Sequence, residues 1–387
     1  MTGVMFVGVL GVNATTLIAG VSAMKKGLYP YQYGITESVN FSALNLISLD
    51  DMIFGGWDYH NTAMTECLVE YRTLPYSVVE QISDINSTTV YKGIWTSKDI
   101  PVEKKFDYLY VPSSIEDGIA HIKDDIADFR NRHQLDTVIV VYLGSPSKAV
   151  NEQLLVASYE QIRNSAVDDV PSSVIYAVAA LESGAHFVDF TPSETLDFSF
   201  INELAIQNNA QLSGRDGSTG QTMLKLVVAD MLRIRALHLD AWFSTNILGN
   251  HDGYVLSMPE YCKAKIEDKT LGIQQLLGYD DYEHLVTINY FGKRNDSKES
   301  WDSVDFSGWL NTPMTLKLNW HGEDAMLAAP IILDLIRLID YNERIKLCGF
   351  QKQLGVFYKH PYGSEGCSLS EMYHNLLNFY KDGIPKN

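Results

Sequence analysis

The chain has 387 residues and a formal net charge of −18, with 46% hydrophobic and 20% charged residues. This composition is typical of a globular protein with two domains, or with one large domain that carries an insertion. The acidic charge argues against nucleic acid as a partner, because neutralising phosphates requires clustered lysine and arginine. No run of about 18 apolar residues is present, so we expect no membrane span.

The N-terminal segment is apolar from residue 1 to residue 20. It lacks the basic lead and the small-residue cleavage site of a signal peptide, which favours a buried strand and helix instead. The cysteines Cys67, Cys262, Cys348 and Cys367 have no CxxC spacing, so neither a zinc site nor a disulfide framework is indicated. We therefore expect a protein of the reducing cytoplasm.

The first predicted elements are a strand, a glycine-containing turn and a helix. The apolar run 4–7 ends at Gly8, Gly11 follows, and residues 13–25 are compatible with a helix. This order opens a dinucleotide-binding fold, in which glycines admit a pyrophosphate to the backbone and the helix N-terminus supplies N–H groups. The fingerprint is imperfect, so a strand-to-helix turn without a ligand is the alternative.

Strands and helices then alternate along the chain. Apolar residues at helical spacing predict a helix over Ile119, Ile122, Ile126 and Phe129. The β-branched run 138–141 is typical of a buried parallel strand. Further strands are predicted at 186–190 and 210–213, each preceded by a helix, the second of them at 196–208. This alternation predicts a doubly wound α/β sheet.

From about residue 240 the pattern changes to strands with little helix between them. Strands are predicted at 239–243, 284–290 and 314–320, and helices at 325–339 and 369–381. We interpret 240–325 as an open-sheet insertion in a Rossmann-like domain made of 1–239 and 326–387. An open sheet exposes faces that need covering, so we expect an oligomer.

Two glycine-containing motifs could receive a ligand. In Phe54-Gly55-Gly56-Trp57-Asp58 the paired glycines, placed at a strand end, indicate a close backbone approach, and Asp58 is a candidate acceptor for a ribose hydroxyl. A tight turn with a packed tryptophan is the alternative. The stretch 213–222 is rich in glycine, serine and threonine and leads into a helix, which favours a phosphate cradle over a simple helix cap.

Lysines are the candidate cations for a phosphate and for a developing oxyanion. They are Lys263, Lys265, Lys269, Lys298 and Lys359. Each taken alone is more often a solvated surface charge, but together they supply the local positive charge that an anionic substrate needs in an acidic chain. His251 and His321 are weak metal-ligand candidates, and we expect no metal site.

Taken together, these motifs resemble the myo-inositol-1-phosphate synthase family. The similarity extends over nearly the whole chain and is densest from Gly214 to Leu335. The specific segments are 54–58, 218–222, Asn246-Ile247-Leu248-Gly249-Asn250-His251-Asp252-Gly253, Asn295-Asp296-Ser297-Lys298, and Asp324 leading into Ala328-Ala329-Pro330-Ile331-Ile332-Leu333-Asp334-Leu335. The first glycine loop is not specific by itself.

The resemblance implies an isomerase that uses NAD and turns D-glucose 6-phosphate into 1L-myo-inositol 1-phosphate. The implied steps are oxidation at C5, enolisation, attack of the enolate on the C1 aldehyde, and re-reduction. It also implies a homotetramer with packed sheets. Two alternatives are a related cyclase that takes another sugar phosphate, and a catalytically silent protein that binds NAD or a sugar phosphate.

The resemblance also assigns roles to residues, which fall into three sets. The catalytic set is Lys265, Lys298, Lys359, Asp216 and Asp324. The set for the phosphate and the sugar hydroxyls is Thr219, Gly220, Gln221, Thr222, Lys269, Asn246 and Asp252. The cofactor set is Gly8, Gly11, Val12, Asn13, Ala14, Asp58, Gly144 and Thr191.

Departures from the family pattern lie mainly on the cofactor side. The first loop has fewer glycines and asparagines, Leu143-Gly144-Ser145-Pro146-Ser147 replaces Asn-Thr-Glu-Arg, residues 189–195 differ, and Gly-Asp-Asp becomes Gly214-Arg215-Asp216. The substrate-side residues are kept. We therefore expect a sugar phosphate to bind, with the mode of NAD binding altered.

Overall fold

The computed structural model of the chain describes residues 1–31, 34–99, 107–144, 146–250, 253–254, 272–364 and 366–382. Within these ranges the strands form two separate sheets. No helix in this part of the chain is both long and apolar enough to span a bilayer.

The first sheet contains strands from both ends of the chain. Its members are β1 (Thr2–Val7), β2 (Met52–Asp58), β3 (Thr89–Ile94), β4 (Leu109–Tyr110), β5 (Thr137–Tyr142), β6 (His186–Asp189), β7 (Gln211–Ser213) and β12 (Gly349–Phe350). Their order is β12-β7-β6-β5-β1-β2-β3-β4, and every neighbouring pair is parallel. This is the doubly wound arrangement, with β1 at its centre.

Helices connect these strands and follow them. The α-helices are α1 (Val12–Lys25), α2 (Met64–Tyr71), α3 (Tyr76–Val79), α4 (Ile115–His133), α5 (Glu152–Leu155), α6 (Tyr159–Arg163), α7 (Ser172–Glu182), α8 (Ile201–Gln207), α9 (Gln221–Ile234), α10 (Asp324–Arg344) and α11 (Leu369–Asp382). Short 3-10 helices occupy Ile35–Glu37, Val39–Leu44, Leu49–Asp51, Glu80–Ser87, Val167–Asp169, Glu194–Asp197, Gly292–Arg294, Trp309–Asn311 and Lys352–Phe357.

Apolar layers cover both faces of the first sheet. Val4 and Phe6 of β1 pack in the cluster that includes side chains of α1 and α10. Met5 and Val7 point the other way, into the cluster formed with α4 and α7. A strand buried on both faces has no polar alternation, which is why β1 and β5 are continuous hydrophobic runs in the sequence.

The second sheet is built from the region after α9. It contains β8 (His238–Leu248), β9 (Glu283–Tyr290), β10 (Ser297–Ser307) and β11 (Pro313–Glu323), in the order β11-β10-β8-β9. One face packs against α9, where Val228 and Leu232 meet Trp242 and Val304. The opposite face leaves large apolar side chains exposed to solvent in the single chain: Phe243 at 44%, Leu285 at 59% and Trp301 at 49%.

The predicted α/β fold class is confirmed, but two local predictions were wrong and one strand was missed. Gly55 and Gly56 lie inside β2 rather than at its end. The expected helix at 196–208 is interrupted and consists of the 3-10 turn Glu194–Asp197 and the short helix Ile201–Gln207. Strand β10 was not predicted, because residues 295–298 were considered only as a motif.

Gly56 shows why a glycine is needed inside β2. Its φ is +150°. A Cβ at this position would lie 2.0 Å from the carbonyl oxygen of Phe6 in the neighbouring strand. Both the backbone conformation and the close approach of β1 therefore exclude a side chain.

We expect Gly56→Ala to destabilise the fold severely, by more than about 4 kcal/mol, because the methyl group must separate β1 from β2. Thermal unfolding followed by circular dichroism measures this effect. Gly20→Ala in α1 is the matched control, since a Cβ there meets nothing within 4 Å, and it should raise stability by about 0.5–1 kcal/mol. Equal melting temperatures for the two variants would contradict the packing argument.

Candidate active site

The carboxyl ends of the parallel strands of the first sheet form one edge, and the predicted cofactor residues lie along it. Gly8 follows β1, Gly144 follows β5, Asp58 ends β2 and Thr191 follows β6. The chain runs outward in opposite directions from β1 and β5, so a crevice opens between their ends, where this class of fold binds its ligands. Gly8 has a φ of +85° and lies against the backbone of Leu143 and Gly144. Because Gly8 has no side chain, the space between these two backbone segments stays open.

The glycine loop presents a limited set of backbone donors. The N–H groups of Gly8 and Val9 donate to the Trp57 carbonyl, at 2.8 and 3.1 Å, and the N–H of Gly11 donates to Gly8. The first intrahelical hydrogen bond of α1 runs from Thr15 to Gly11. The N–H groups of residues 12–14 therefore lie ahead of the helical hydrogen-bond pattern, at the positive end of the helix dipole.

The Asp58 side chain holds this loop in place through hydrogen bonds. Its Oδ2 accepts the N–H of Leu10 at 2.8 Å and its Oδ1 accepts the N–H of Tyr59 at 2.8 Å. The residue is 7% exposed. It fixes the shape of the glycine loop, and its predicted contact with a ribose hydroxyl stays a prediction.

Thr191 belongs to a buried hydrogen-bonded turn after β6. Its N–H and hydroxyl donate to Asp189 Oδ1 at 3.0 and 2.8 Å. Burial raises the pKa of Asp189 to about 7, despite these hydrogen bonds. The Thr191 carbonyl accepts the N–H of Asp216 at 2.9 Å, so this turn connects the cofactor edge to the catalytic candidates.

Asp216 and Lys359 form an ion pair with 2.6 Å between Nζ and Oδ1. The pair forms because segments 215–218 and 357–360 run antiparallel. Lys359 N–H donates to the Asp216 carbonyl at 2.7 Å, and Ser218 N–H donates to the Phe357 carbonyl at 2.9 Å. Both side chains are mostly buried, which favours a fixed orientation of the ammonium group.

Asp324 brings the second lysine to the site. Lys298 Nζ lies 3.3 Å from Asp324 Oδ1, and Thr219 donates to the same oxygen at 2.7 Å. Burial raises the pKa of Asp324, but Lys298, Thr219 and Lys359 outweigh burial and hold it below its usual range. Asp324 is thus within electrostatic reach of both lysines, and the two ion pairs belong to one site.

The phosphate motif begins α9 next to these pairs. Gly220 precedes the helix and packs on Trp320, whose ring would lie 2.6 Å from an added Cβ. Thr222 is half-buried on the first turn. The Gln221 side chain donates to Ser244 at 2.6 Å and to Asp302 at 3.0 Å, so its amide faces the second sheet. Asn246 is buried on β8 and donates to Ser244 at 3.4 Å.

Three predicted residues lie outside the described part of the chain: Lys265, Lys269 and Asp252. The same holds for Lys263 and His251. Among the described residues no group of three or more His, Cys, Asp or Glu side chains could hold a metal ion. The described candidates for chemistry are therefore Lys298 and Lys359 with their carboxylate partners.

Several residues of this region were not assigned by the sequence. Asp296 was quoted within a motif but given no role; its Oδ2 accepts the N–H of Ala325 at 2.7 Å at the start of α10. Burial raises the pKa of Asp296 to about 7. Asp189 was quoted only as part of the divergent stretch 189–195, and Asp302 and Ser244 were not considered. Ser244 directly follows the strand predicted at 239–243, whereas no strand was predicted around Asp302, so no sequence signal pointed to that residue.

Comparison with known proteins defines the class of the chain. A family model named for NAD binding and described as myo-inositol-1-phosphate synthase matches residues 2–377. Inositol-3-phosphate synthase 1 from Bacteroides thetaiotaomicron is 32% identical over 93% of this chain and 89% of its own length. An inositol-3-phosphate synthase from Dictyostelium discoideum is 27% identical over 89% of this chain and 75% of its own length.

Solved structures show the same fold. Inositol-3-phosphate synthase from Caenorhabditis elegans superposes with a TM-score of 0.85 and 22% identity, over 98% of this chain and 84% of the other. A myo-inositol-1-phosphate synthase-related protein from Thermotoga maritima has a TM-score of 0.76 and 19% identity, over 98% of both chains. This chain belongs to the myo-inositol-1-phosphate synthase family, and the family, fold class, kind of enzyme and NAD cofactor predicted from the sequence are confirmed.

The cofactor edge fits NAD. The positive φ of Gly8 and the first-turn N–H groups of residues 12–14 provide a cradle for a pyrophosphate. The neighbouring backbone at Leu143 and Gly144 forms the other wall. The reduced number of glycines in the loop therefore leaves the helix N-terminus as its main anion-binding element.

We expect Asp189→Asn to change how stability depends on pH. The folded pKa of about 7 exceeds the unfolded value of about 4, so the native carboxyl holds its proton more tightly. The wild type should thus lose stability as pH rises from 5 to 8, on the order of 2 kcal/mol from this group, and the variant should not.

Urea unfolding at pH 5 and pH 8 measures this difference. Asp136→Asn is the control, because the N-terminal ammonium lowers the pKa of the exposed Asp136 carboxyl, so its removal brings no gain at pH 8. A stability difference between wild type and Asp189→Asn that is the same at both pH values would refute the assignment.

Proposed function

We propose that this chain converts glucose 6-phosphate to an inositol phosphate in the crevice at the carboxyl edge of the first sheet. It is an NAD-dependent enzyme of the inositol-3-phosphate synthase kind. The observation that carries the proposal is the meeting of two lysine–carboxylate pairs, Lys298–Asp324 and Lys359–Asp216, beside the first turn of α9.

NAD, when bound, accepts a hydride from the sugar and returns it, so the net reaction is an isomerisation. The residues of the chain have to stabilise the negative oxygens that arise between these events. Lys298 and Lys359 are mostly buried and each is held by one carboxylate. Fixed ammonium groups aimed at a developing oxyanion stabilise it strongly, because they need no reorganisation during the reaction.

The carboxylates have a second task, which is to orient proton donors. Asp216 Oδ1 is 2.6 Å from Lys359 Nζ, and this contact fixes the direction of the ammonium protons. Asp324 does the same for Lys298 while it also accepts from Thr219. The substrate phosphate then lies at the N-terminus of α9, with Thr219 and Gly220 beside it and Asn246 towards the sugar.

Other parts of the proposal rest on the resemblance. Lys265, Lys269 and Asp252 complete the catalytic and phosphate sets, and the cytoplasm is the proposed location. We also propose the division into a cofactor domain, 1–239 and 326–387, and a catalytic insertion, 240–325. The two alternatives, a cyclase for another sugar phosphate and a silent binder, are not favoured by the comparisons.

The reaction is tested by incubating the purified chain with glucose 6-phosphate and NAD and following phosphorus and carbon NMR. Inositol phosphate should appear without a matching accumulation of NADH, because the hydride returns to the ring. NADH accumulating in step with sugar oxidation, or a complete lack of product, would reject the proposal.

We expect Lys298→Ala to lower kcat by at least about a thousandfold, since it removes one oxyanion-stabilising cation. The same NMR assay measures the loss, and thermal unfolding verifies that the variant is folded. Lys346→Ala is the matched control, because the Lys346 side chain lies exposed just after α10 and outside the second sheet. Near-normal turnover of Lys298→Ala would remove this lysine from the mechanism.

We further propose that the chain forms a homotetramer through the outer face of the second sheet. Phe243 and Leu285 are register neighbours on β8 and β9, and both are exposed. Trp301 on β10 belongs to the same face. An apolar sheet face of this kind is usually buried in an assembly. The family resemblance implies that the same sheet of a second copy packs against it.

We expect Phe243→Glu combined with Leu285→Glu to reduce the assembled mass, because burying two carboxylates between apolar faces is unfavourable. Light scattering coupled to size-exclusion chromatography measures the mass. Val39→Glu, at an exposed position in the 3-10 helix Val39–Leu44, should leave the mass unchanged. A tetramer that persists in the double variant would show that another surface assembles it.

A further inference from the structure

A cluster of buried polar side chains lies where α9 packs on the second sheet. It consists of Gln221, Ser244, Asp302 and Trp242, and we call it the Gln221 cluster. The Gln221 amide nitrogen lies 2.6 Å from Ser244 Oγ and 3.0 Å from each Asp302 oxygen. Trp242 Nε1 donates to Asp302 Oδ1 at 2.9 Å. Every member is at most 6% exposed.

Burying this cluster costs free energy of folding. Its neighbours are the apolar side chains of Val228, Leu232 and Val304, which would pack against each other without a carboxylate. A buried carboxylate is tolerated only when its oxygens receive hydrogen bonds, as those of Asp302 do. Compared with an apolar contact, the cluster fixes the orientation of α9 on the second sheet, because its hydrogen bonds form in only one arrangement of helix and sheet.

Lys225 provides the compensating charge one helical turn further along α9. Its Nζ lies 3.0 Å from His284 Nε2 and 5.2 Å from the centre of the Trp242 ring. Burial lowers the pKa of Lys225 to about 8, and the charge of Asp302 opposes that shift. The positive and negative groups are thus on the same helix–sheet contact, which favours one register of α9 on the sheet.

The cluster is connected to the active site through strand register. Ser244 is paired with Asp302, and four residues along β10 the same ladder pairs Lys298 with Leu248. Gln221 is the first residue of α9. Two residues before it, Thr219 donates to Asp324, the partner of Lys298. A shift of Gln221 relative to Asp302 therefore moves Thr219 relative to Lys298.

We infer that Gln221 is a positioning residue whose side chain binds the second sheet instead of the substrate. Held by Asp302 and Ser244, it sets the N-terminal turn of α9, with Thr219 and Gly220, at the distance from Lys298 that suits a phosphate-bearing substrate. This inference rests on the proposed function and adds to it a role for Asp302 and Ser244.

The test exchanges donor and acceptor within the cluster. Gln221→Glu has the same shape but places a carboxylate 3.0 Å from Asp302, where two like charges repel. We expect the KM for glucose 6-phosphate to rise about tenfold or more, with a smaller change in kcat. Asp302→Asn alone should have a milder effect, because the amide oxygen of the introduced side chain remains an acceptor for Gln221 or Trp242.

The combination Gln221→Glu with Asp302→Asn should restore the KM to within about threefold of the wild type. In it the new asparagine donates to the new glutamate and still accepts from Trp242, while the Ser244 hydroxyl turns to donate. One negative charge stays in the cluster beside Lys225. Asp124→Asn, at an exposed position on α4, is the control and should leave the KM unchanged.

Each result separates the possibilities. If Gln221→Glu and the combination lose affinity equally while both remain folded, the Gln221 side chain contacts substrate and the inference is overturned. If Gln221→Glu retains the wild-type KM, the inference also fails. If Gln221→Glu does not fold, Ser244→Ala provides the test, and it must raise the KM about twofold to threefold. A wild type that neither binds nor turns over glucose 6-phosphate would overturn the proposed function instead.

Discussion

The placement of α9 on the second sheet is the constraint on which the candidate active site depends. The first turn of this helix is held at Thr219 by Asp324 and at Gln221 by Asp302. These carboxylates lie on different elements: Asp324 is the first residue of α10, directly after β11, and Asp302 is in β10. With both contacts made, the helix dipole points at the place where the lysine–carboxylate pairs meet. The crevice and the second sheet thereby become two walls of one site.

Charge distribution explains how so acidic a chain receives an anion. The net charge of −18 opposes the approach of a phosphate, yet this long-range repulsion is weakened by salt beyond about 8–10 Å. Inside the site the balance is local. Lys298 and Lys359 are each paired with one carboxylate, and helix N-termini add partial positive charge. Binding is therefore decided by groups in contact with the substrate.

Much of the first sheet could be predicted from the sequence, because its central strands are continuous apolar runs followed by glycines. The second sheet was harder. In the first half of β10 the inward-facing positions include Ser300 and Asp302, so this part lacks the apolar alternation by which strands are recognised. The polar inward face is the same feature that anchors Gln221. The polar residues that hold Gln221 are thus the reason why this strand is difficult to predict from the sequence.

The candidate site was predictable in its residue types but not in its contacts. Lysines and acidic residues were identified, yet nothing in the sequence predicts that Lys359 pairs with Asp216, since a backbone ladder joins segments that are 143 positions apart. Gln221 was placed with the phosphate ligands because of its neighbours, whereas its amide faces the second sheet. Such assignments depend on side-chain direction at a helix start, which composition does not determine.

The position of β12 has a consequence for how the chain becomes an enzyme. This strand, Gly349–Phe350, adds to the first sheet beside β7 after the whole second sheet has been made. Lys359 follows it after one short 3-10 helix. During synthesis the edge strand β12 and Lys359, one of the two described candidate lysines, emerge only with the last part of the chain. A growing polypeptide therefore contains the residues of the cofactor edge before it contains either Lys298 or Lys359.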